Sequence, residues 1–191
     1  MRTFSAVLLA TVLAAPQLSR AAVIEPLSFE RMVEAADRIV IGTAGAASVR
    51  AIEHGRLLVT DTELHVESTL KGEAAPLIVI RASGGVLGDR GQEVPGAARF
   101  FEGERVLLFL EAHGGQGDLP RCRVIAMSFG KYHLSPAAQG EVAVRDLEGI
   151  AARAGEGDPV APLLPETPAD AATLIDRIRA LLARPHTSAT P

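Results

Sequence analysis

The chain has 191 residues, a formal net charge of −4, 48% hydrophobic and 22% charged residues, the profile of one folded domain with a real core and not of a disordered segment. With six Phe, one Tyr and no Trp, it lacks the aromatic platforms on which single-stranded nucleic acids stack. An acidic chain also has no long-range attraction for nucleic acid or an anionic membrane, so neither is expected as a partner.

The first residues, MRTFSAVLLATVLAAPQLSRAA, read as an export leader. Arg2 gives the positive start, Phe4 to Ala15 the apolar stretch, and Ser19-Arg20-Ala21 the small residues before a cut after Ala21. A cut after Ala15 would place Pro16 beside it, which is unfavourable. The apolar run falls short of the ~20 residues that span a bilayer, so no stable membrane anchor is expected once the leader is removed. No cysteine follows it, which excludes a lipoprotein anchor. Losing Arg2 and Arg20 takes the net charge to about −6. The sole cysteine, Cys122, alternates in phase with Val124 and Ala126 and reads as a small buried apolar residue. With one cysteine there is no internal disulfide, and stability rests on the core. Lys71 and Lys131 are the only lysines; the excess of Arg, with that of Ala, is read as base composition of the gene.

Ser28 to Ala36 is predicted as a short helix, with Ser28 as N-cap, Leu27 and Met32 as a hydrophobic staple, and Phe29, Met32, Val33 and Ala36 on one face. Strands are predicted over Arg38 to Val49, Leu57 to Leu70, Leu77 to Ala82, Glu104 to Ala112 and Arg121 to Met127. Gly42 and Gly45 permit bending or close approach in the first. The second alternates clearly: Leu58, Thr60, Thr62, Leu64, Val66 and Ser68 face the core, and Val59, Asp61, Glu63, His65, Glu67 and Thr69 face water. Ala51 to Arg56 reads as a hairpin connection, Lys71-Gly72-Glu73 as a turn, and His113 to Pro120 as a Gly-rich loop. Gly130 to Leu134 and Glu141 to Arg145 form a final hairpin around Pro136 to Gly140. Short connections without intervening helices point to a mainly β domain over residues 22–150, a small antiparallel OB-like barrel. Residues 151–166, rich in Ala, Gly and Pro, read as a linker. A helix over 167–184 is expected to start at Thr167-Pro168, with Asp170 in its first turn and Leu174, Ile175, Ile178, Leu181 and Leu182 as its apolar stripe. It is expected to pack on its own barrel, before a disordered tail from Pro185.

Three motifs carry a resemblance. Ala36-Asp37 precedes an I-V-x-G strand, Leu70-Lys71-Gly72 ends the alternating strand, and Gly103-Glu104 opens R-V-L-L-F-L. This pattern resembles a family of exported bacterial proteins and, more distantly, the netrin-like and tissue-inhibitor-of-metalloprotease domains, over about Phe29 to Leu134. The resemblance implies an OB-like barrel. The inhibitors of that group chelate a protease zinc through an N-terminal cysteine and staple their barrel with disulfides. This chain has Ala22 at the expected mature terminus and only Cys122, so none of their functional residues maps here.

No catalytic constellation is expected. The histidines (His54, His65, His113, His133 and His186) show no paired or H-E-x-x-H spacing. Glu63, His65 and Glu67 share a strand face that a metal could use, but three ligands on adjacent pleats rarely converge; a solvated face is the expectation, with no metal and no cofactor. Ser83 and Asp89 lack the G-x-S-x-G elbow of a hydrolase, and GGVLGDRG lacks the helix and Lys-Ser/Thr ending of a phosphate loop. The long Gly-rich excursion Ser83 to Arg99 is the candidate binding segment, with Gly84, Gly85, Arg90 and Gln92 offering open backbone and polar reach; a mobile crossover around the barrel end is the alternative. The expectation is an exported, non-enzymatic binding or interaction module for a protein or small ligand. A metal-dependent or hydrolytic enzyme, and an accessory or inhibitor of an exported protease, stand as alternatives.

Overall fold

The structure, a computed structural model, describes residues 22–24, 27–114, 119–147, 150–152, 161–163 and 166–184. The expected export leader and the tail expected from Pro185 lie outside them. In chain order the elements are β1 (Ala22–Ile24), α1 (Phe29–Ala35), β2 (Arg38–Ile52), β3 (Leu57–Lys71), β4 (Leu77–Ser83), β5 (Gly85–Leu87), β6 (Arg90–Gln92) and β7 (Arg105–Ala112). There follow β8 (Arg121–Val124), β9 (Lys131–Ala137), β10 (Gly140–Arg145), β11 (Ile150–Ala152), β12 (Ala161–Pro162), β13 (Ala169–Asp170) and α2 (Ala171–Leu182). The chain is mainly β, with a short N-terminal helix and a C-terminal one, as its alternation and caps predict.

The main sheet runs β13-β10-β9-β7-β2-β3-β4-β8. Its longest hairpin, β2–β3, is antiparallel with register shifts at Ile39/Val40, Ile41/Gly42 and Ala44/Ala47, the irregularities that bend a strand. Gly42 is required at one of them: a Cβ there would stand 2.4 Å from the His65 carbonyl oxygen. The ladder continues antiparallel to β4, and β8 then pairs parallel to β4 and antiparallel to β7.

β7 has three neighbours. One edge pairs with β2 from Arg105 to Leu110. The other is divided, with β9 beside Val106–Leu108 and β8 beside Leu110–Ala112. At the division, Phe109 donates to the Gly130 carbonyl (2.9 Å) and accepts from the Ile125 amide (3.0 Å). The intervening turn carries Ala126 and Met127 in the left-handed region, at φ 50° and 65°. The fifth strand therefore stops at Val124 and not at Met127, because the chain must fold over itself where β8 and β9 part.

The two faces of β7 feed two cores. Leu107 and Phe109 join Met32, Ile39, Tyr132 and Ile178 between sheet and helices. Val106, Leu108 and Leu110 join Val40, Leu64, Ile80 and Cys122 on the opposite side. In β3, Leu58, Thr62 and Leu64 are buried while His65 and Glu67 are exposed, as the alternation predicts. Val59 is also buried, and Asp61 is half-buried within ion pairs.

α1 is capped as expected: Ser28 Oγ accepts from the Arg31 amide at 3.2 Å, and Leu27 packs in the same cluster as Met32. Lys71 Nζ donates to the carbonyls of Val33 (2.9 Å) and Glu34 (2.8 Å), ending the helix beside the sheet. α2 begins later than the Thr167-Pro168 start. Ala169 and Asp170 pair with Ala143 and Val142, so those residues are held extended, and Asp170 itself is the N-cap, accepting from the Thr173 amide at 2.7 Å. Leu174 and Ile178 are buried, Ile175, Leu181 and Leu182 partly so, in the cluster they share with α1. Arg177 bonds Glu30 at 2.7 Å and lies 4.4 Å from the Phe29 ring centroid. The helix packs on its own sheet.

Parts of the Ala/Gly/Pro-rich stretch are paired: β11 lies parallel to β1 and antiparallel to β12. The last hairpin extends past its predicted end, with Pro136 inside β9 opposite Glu141. Proline is tolerated there because β9 has outrun β7, whose pairing covers only Lys131–His133.

Phe109→Ala is expected to lower the unfolding free energy by about 3–5 kcal/mol, and Asp170→Ala by about 1 kcal/mol. Urea titrations of the two variants check the ranking.

Candidate functional site

The excursion between β4 and β7 builds a cleft of about 630 Å³. Its first half is not a plain loop: β5 and β6 pair antiparallel, Gly85 opposite Gln92 and Leu87 opposite Arg90. This hairpin is sealed to the start of β3. The Gly84 amide donates to the Leu58 carbonyl, the Leu58 amide donates to Gln92 Oε1, and Thr60 Oγ1 donates to the Gly84 carbonyl, each at 2.8 Å. Gly84 and Gly85 sit at φ +96° and +137°, and a Cβ on Gly85 would come within 2.7 Å of Thr60 Oγ1 and 2.8 Å of a Val49 methyl. These two glycines are therefore there to let the hairpin lie against β2 and β3.

Gly84, Gly85 and Gln92 line the cleft. Arg90 does not: its guanidinium donates to the Gly55 carbonyl at 2.8 Å, on the β2–β3 turn. Its expected role as a polar reach into the site is corrected to a tie between two hairpins. Thr60 and Thr62 of β3, Val86 of β5 and Phe100-Phe101 of the opposite wall also line it, as do Glu93 and Arg99, which pair with each other. Val86 and Phe101 are 70% and 72% exposed, large apolar side chains left in solvent at the edge of a cavity.

The Ala97–Phe101 wall is held by a buried ion pair. Lys131, 3% exposed, places Nζ 2.7 Å from Glu104 Oε1, donates to the Arg99 carbonyl, and lies 4.9 Å from the Phe100 ring centroid. Glu104 Oε2 accepts from the Phe101 amide at 3.0 Å, and Oε1 lies 3.1 Å from His133 Nδ1. Asp146 adds a second carboxylate 3.7 Å from Lys131. The Ser128 amide donates to the Gly96 carbonyl at 2.8 Å, and Ala98 and Phe100 enter the second core. Burial pushes the Glu104 carboxyl up, but hydrogen bonds from Lys131 and the Phe101 amide, the Lys131 charge and His133 outweigh it and hold it below its ordinary 4.5.

Neither Lys131 nor Glu104 stood out as a site residue. The available signal was the rarity of lysine. Lys71 gathers two carbonyl oxygens, and Lys131 one carbonyl and two carboxylates, a task for a compact three-donor ammonium and not a planar guanidinium.

The other candidate groups are occupied or dispersed. Glu67 accepts from Thr43 Oγ1 (2.7 Å) and Arg105 Nε (2.8 Å). Among the described residues no group of three or more His, Cys, Asp and Glu side chains converges as a metal site would. Ser83 lines the cleft, and Asp89 lies in the turn between β5 and β6; among the described residues neither bonds a histidine. Cys122 is 1% exposed, and burial pushes its thiol up. Comparison with protein-family models, curated proteins and solved structures finds no match.

Lys131→Met leaves Glu104 buried without its counter-charge and is expected to cost about 3–5 kcal/mol; the Lys131→Met/Glu104→Leu double variant recovers part of it. Because the native Glu104 carboxyl lies below 4.5, its contribution is complete above that value and is lost as the pH falls through the lower native one. Urea titrations at stepped pH should therefore show stability falling in that acidic window, with a shallower fall in Glu104→Gln.

Proposed function

We propose that this protein is an exported, non-enzymatic binding module with an OB-like barrel, which holds a small ligand or a short piece of a partner protein in the cleft between the β5–β6 hairpin and the Ala97–Phe101 wall. Support for the barrel comes from the order of pairing. β2, β3, β4, β8 and β7 each bond the next, β7 bonds β2, and the third-to-fifth contact is the parallel one, an arrangement suited to a five-stranded Greek-key barrel. The leader read in the sequence supports export. Among the described residues no helix is long and apolar enough to cross a membrane.

The observation that carries the binding reading is the cleft itself. Its volume of about 630 Å³ lies in the range of small-molecule sites. It is lined by apolar side chains with a few hydroxyl and backbone groups, the Gln92 amide and the mutually paired Glu93 and Arg99, and one wall is fixed by a buried ion pair. Such a wall preserves a shape, which binding needs and a solvated crossover loop does not.

Immobilised protein exposed to the exported fraction of its source cells is expected to retain a ligand that a Val86→Asp/Phe101→Ala variant does not, and to release it chemically unchanged. Retention equal in the two proteins would remove the cleft reading. Stoichiometric zinc in the purified protein, lost on His65→Ala, would instead establish a metal site on the β3 face and overturn the non-enzymatic reading.

A further inference from the structure

A second cavity, of about 290 Å³, adjoins the cleft. The two share Ala82, Ser83, Ala97 and Ala98 in their linings, so they meet across the end of β4 and the beginning of the clamped wall. Their chemistry differs. The larger presents Val86 and Phe101, and its two charged side chains, Glu93 and Arg99, pair with each other; the smaller is lined by Arg81, Arg123 and Glu111.

The smaller cavity lies at the edge of a positive patch. Asp61 receives two bonds from Arg81, both 2.7 Å, and one from Arg50 at 3.1 Å. Arg121 Nε stands 3.9 Å from the same carboxylate, buried and with no acceptor among the described residues. Arg123 pairs with Glu111 at 3.0 Å. Four guanidiniums thus share two carboxylates, in a chain whose net charge is −4. Glu63, opposite Val79 on the neighbouring strand, is the next acidic residue along β3. A local cationic surplus in an acidic protein concentrates anions at that place.

We propose that the joined cavities bind a small amphipathic carboxylate, with its apolar body between Val86 and Phe101 and its carboxylate on Arg123 beside Arg81. This rests on the cleft reading above and names its ligand class. Arg81 is already neutralised by a two-bond pairing with Asp61 and is 11% exposed in its side chain. Arg123 is 51% exposed and holds Glu111 by one contact, so an incoming carboxylate can replace Glu111 and take both arms of the guanidinium fork. The two parallel donors of one planar fork match a planar carboxylate.

The test is calorimetric titration of the full mature chain with decanoate and with 1-decanol, both below their aggregation limits. Decanoate should bind saturably at one site, with at least about tenfold tighter affinity than decanol. Arg123→Met should reduce decanoate to the decanol level and leave decanol unchanged, while Phe101→Ala weakens both. Equal affinities, or a decanoate preference that survives Arg123→Met, overturn the proposal; if Phe101→Ala still weakens both ligands, the cleft reading stands without it. Absence of binding by either ligand also overturns it, and the retention experiment with the cleft variant then decides the broader reading separately.

Discussion

β7 is the constraint on which the rest of the structure depends. Its five central residues, Val106 to Leu110, are fully buried and alternate between two cores. A strand buried on both faces must be apolar throughout, and its backbone must be satisfied along both edges. One edge is met by β2. The other is met in turn by β9, the turn over Phe109, and β8. That division lets β8 close back from β7 onto β4 while β9 carries the chain on to β10 and the second helix.

The candidate site grows from the start of the same strand. Glu104, immediately before β7, and Lys131, at the start of β9, meet where those two strands pair. Their ion pair is buried, so it has little value as net stability against an apolar replacement. Its consequence is positional: Arg99 and Phe101 are bonded to it through the backbone, and Phe100 packs beside it. The wall of the cleft is thereby tied to the most buried element in the molecule. The opposite wall is tied differently, through Gly84, Thr60 and Gln92 to the first residues of β3. Each wall has its own anchor, and the space between them is what neither anchor fills.

How much was legible depended on how local the cause was. The cap of α1 was readable because Ser28 and Arg31 are three residues apart. The outward face of β3 was readable because alternation is a property of neighbours. The start of α2 was misplaced because Ala169 and Asp170 obey β10, far earlier in the chain, and not the proline before them. The Ser83–Arg99 segment was recognisable as having length to spare, but its hairpin was hidden by glycines. Gly84, Gly85 and Gln92 were identified and do line the cleft. Arg90 was identified for the same reason, its reach, and reaches elsewhere. Reach says how far a side chain can extend; its acceptor, Gly55, lies 35 positions away and only folding brings it near.

By itself the sequence determined the secondary structure class, the apolar faces and the segment in which a site could lie, because these follow from spacing along the chain. Only the tertiary structure decided that β7 serves two cores, that Lys131 finds Glu104, and that Arg123 and Arg81 border one cavity while Val86 and Phe101 border its neighbour. Those arrangements join residues dozens of positions apart. Their energies come from burial and charge pairing, which exist only once distant strands share one place in space.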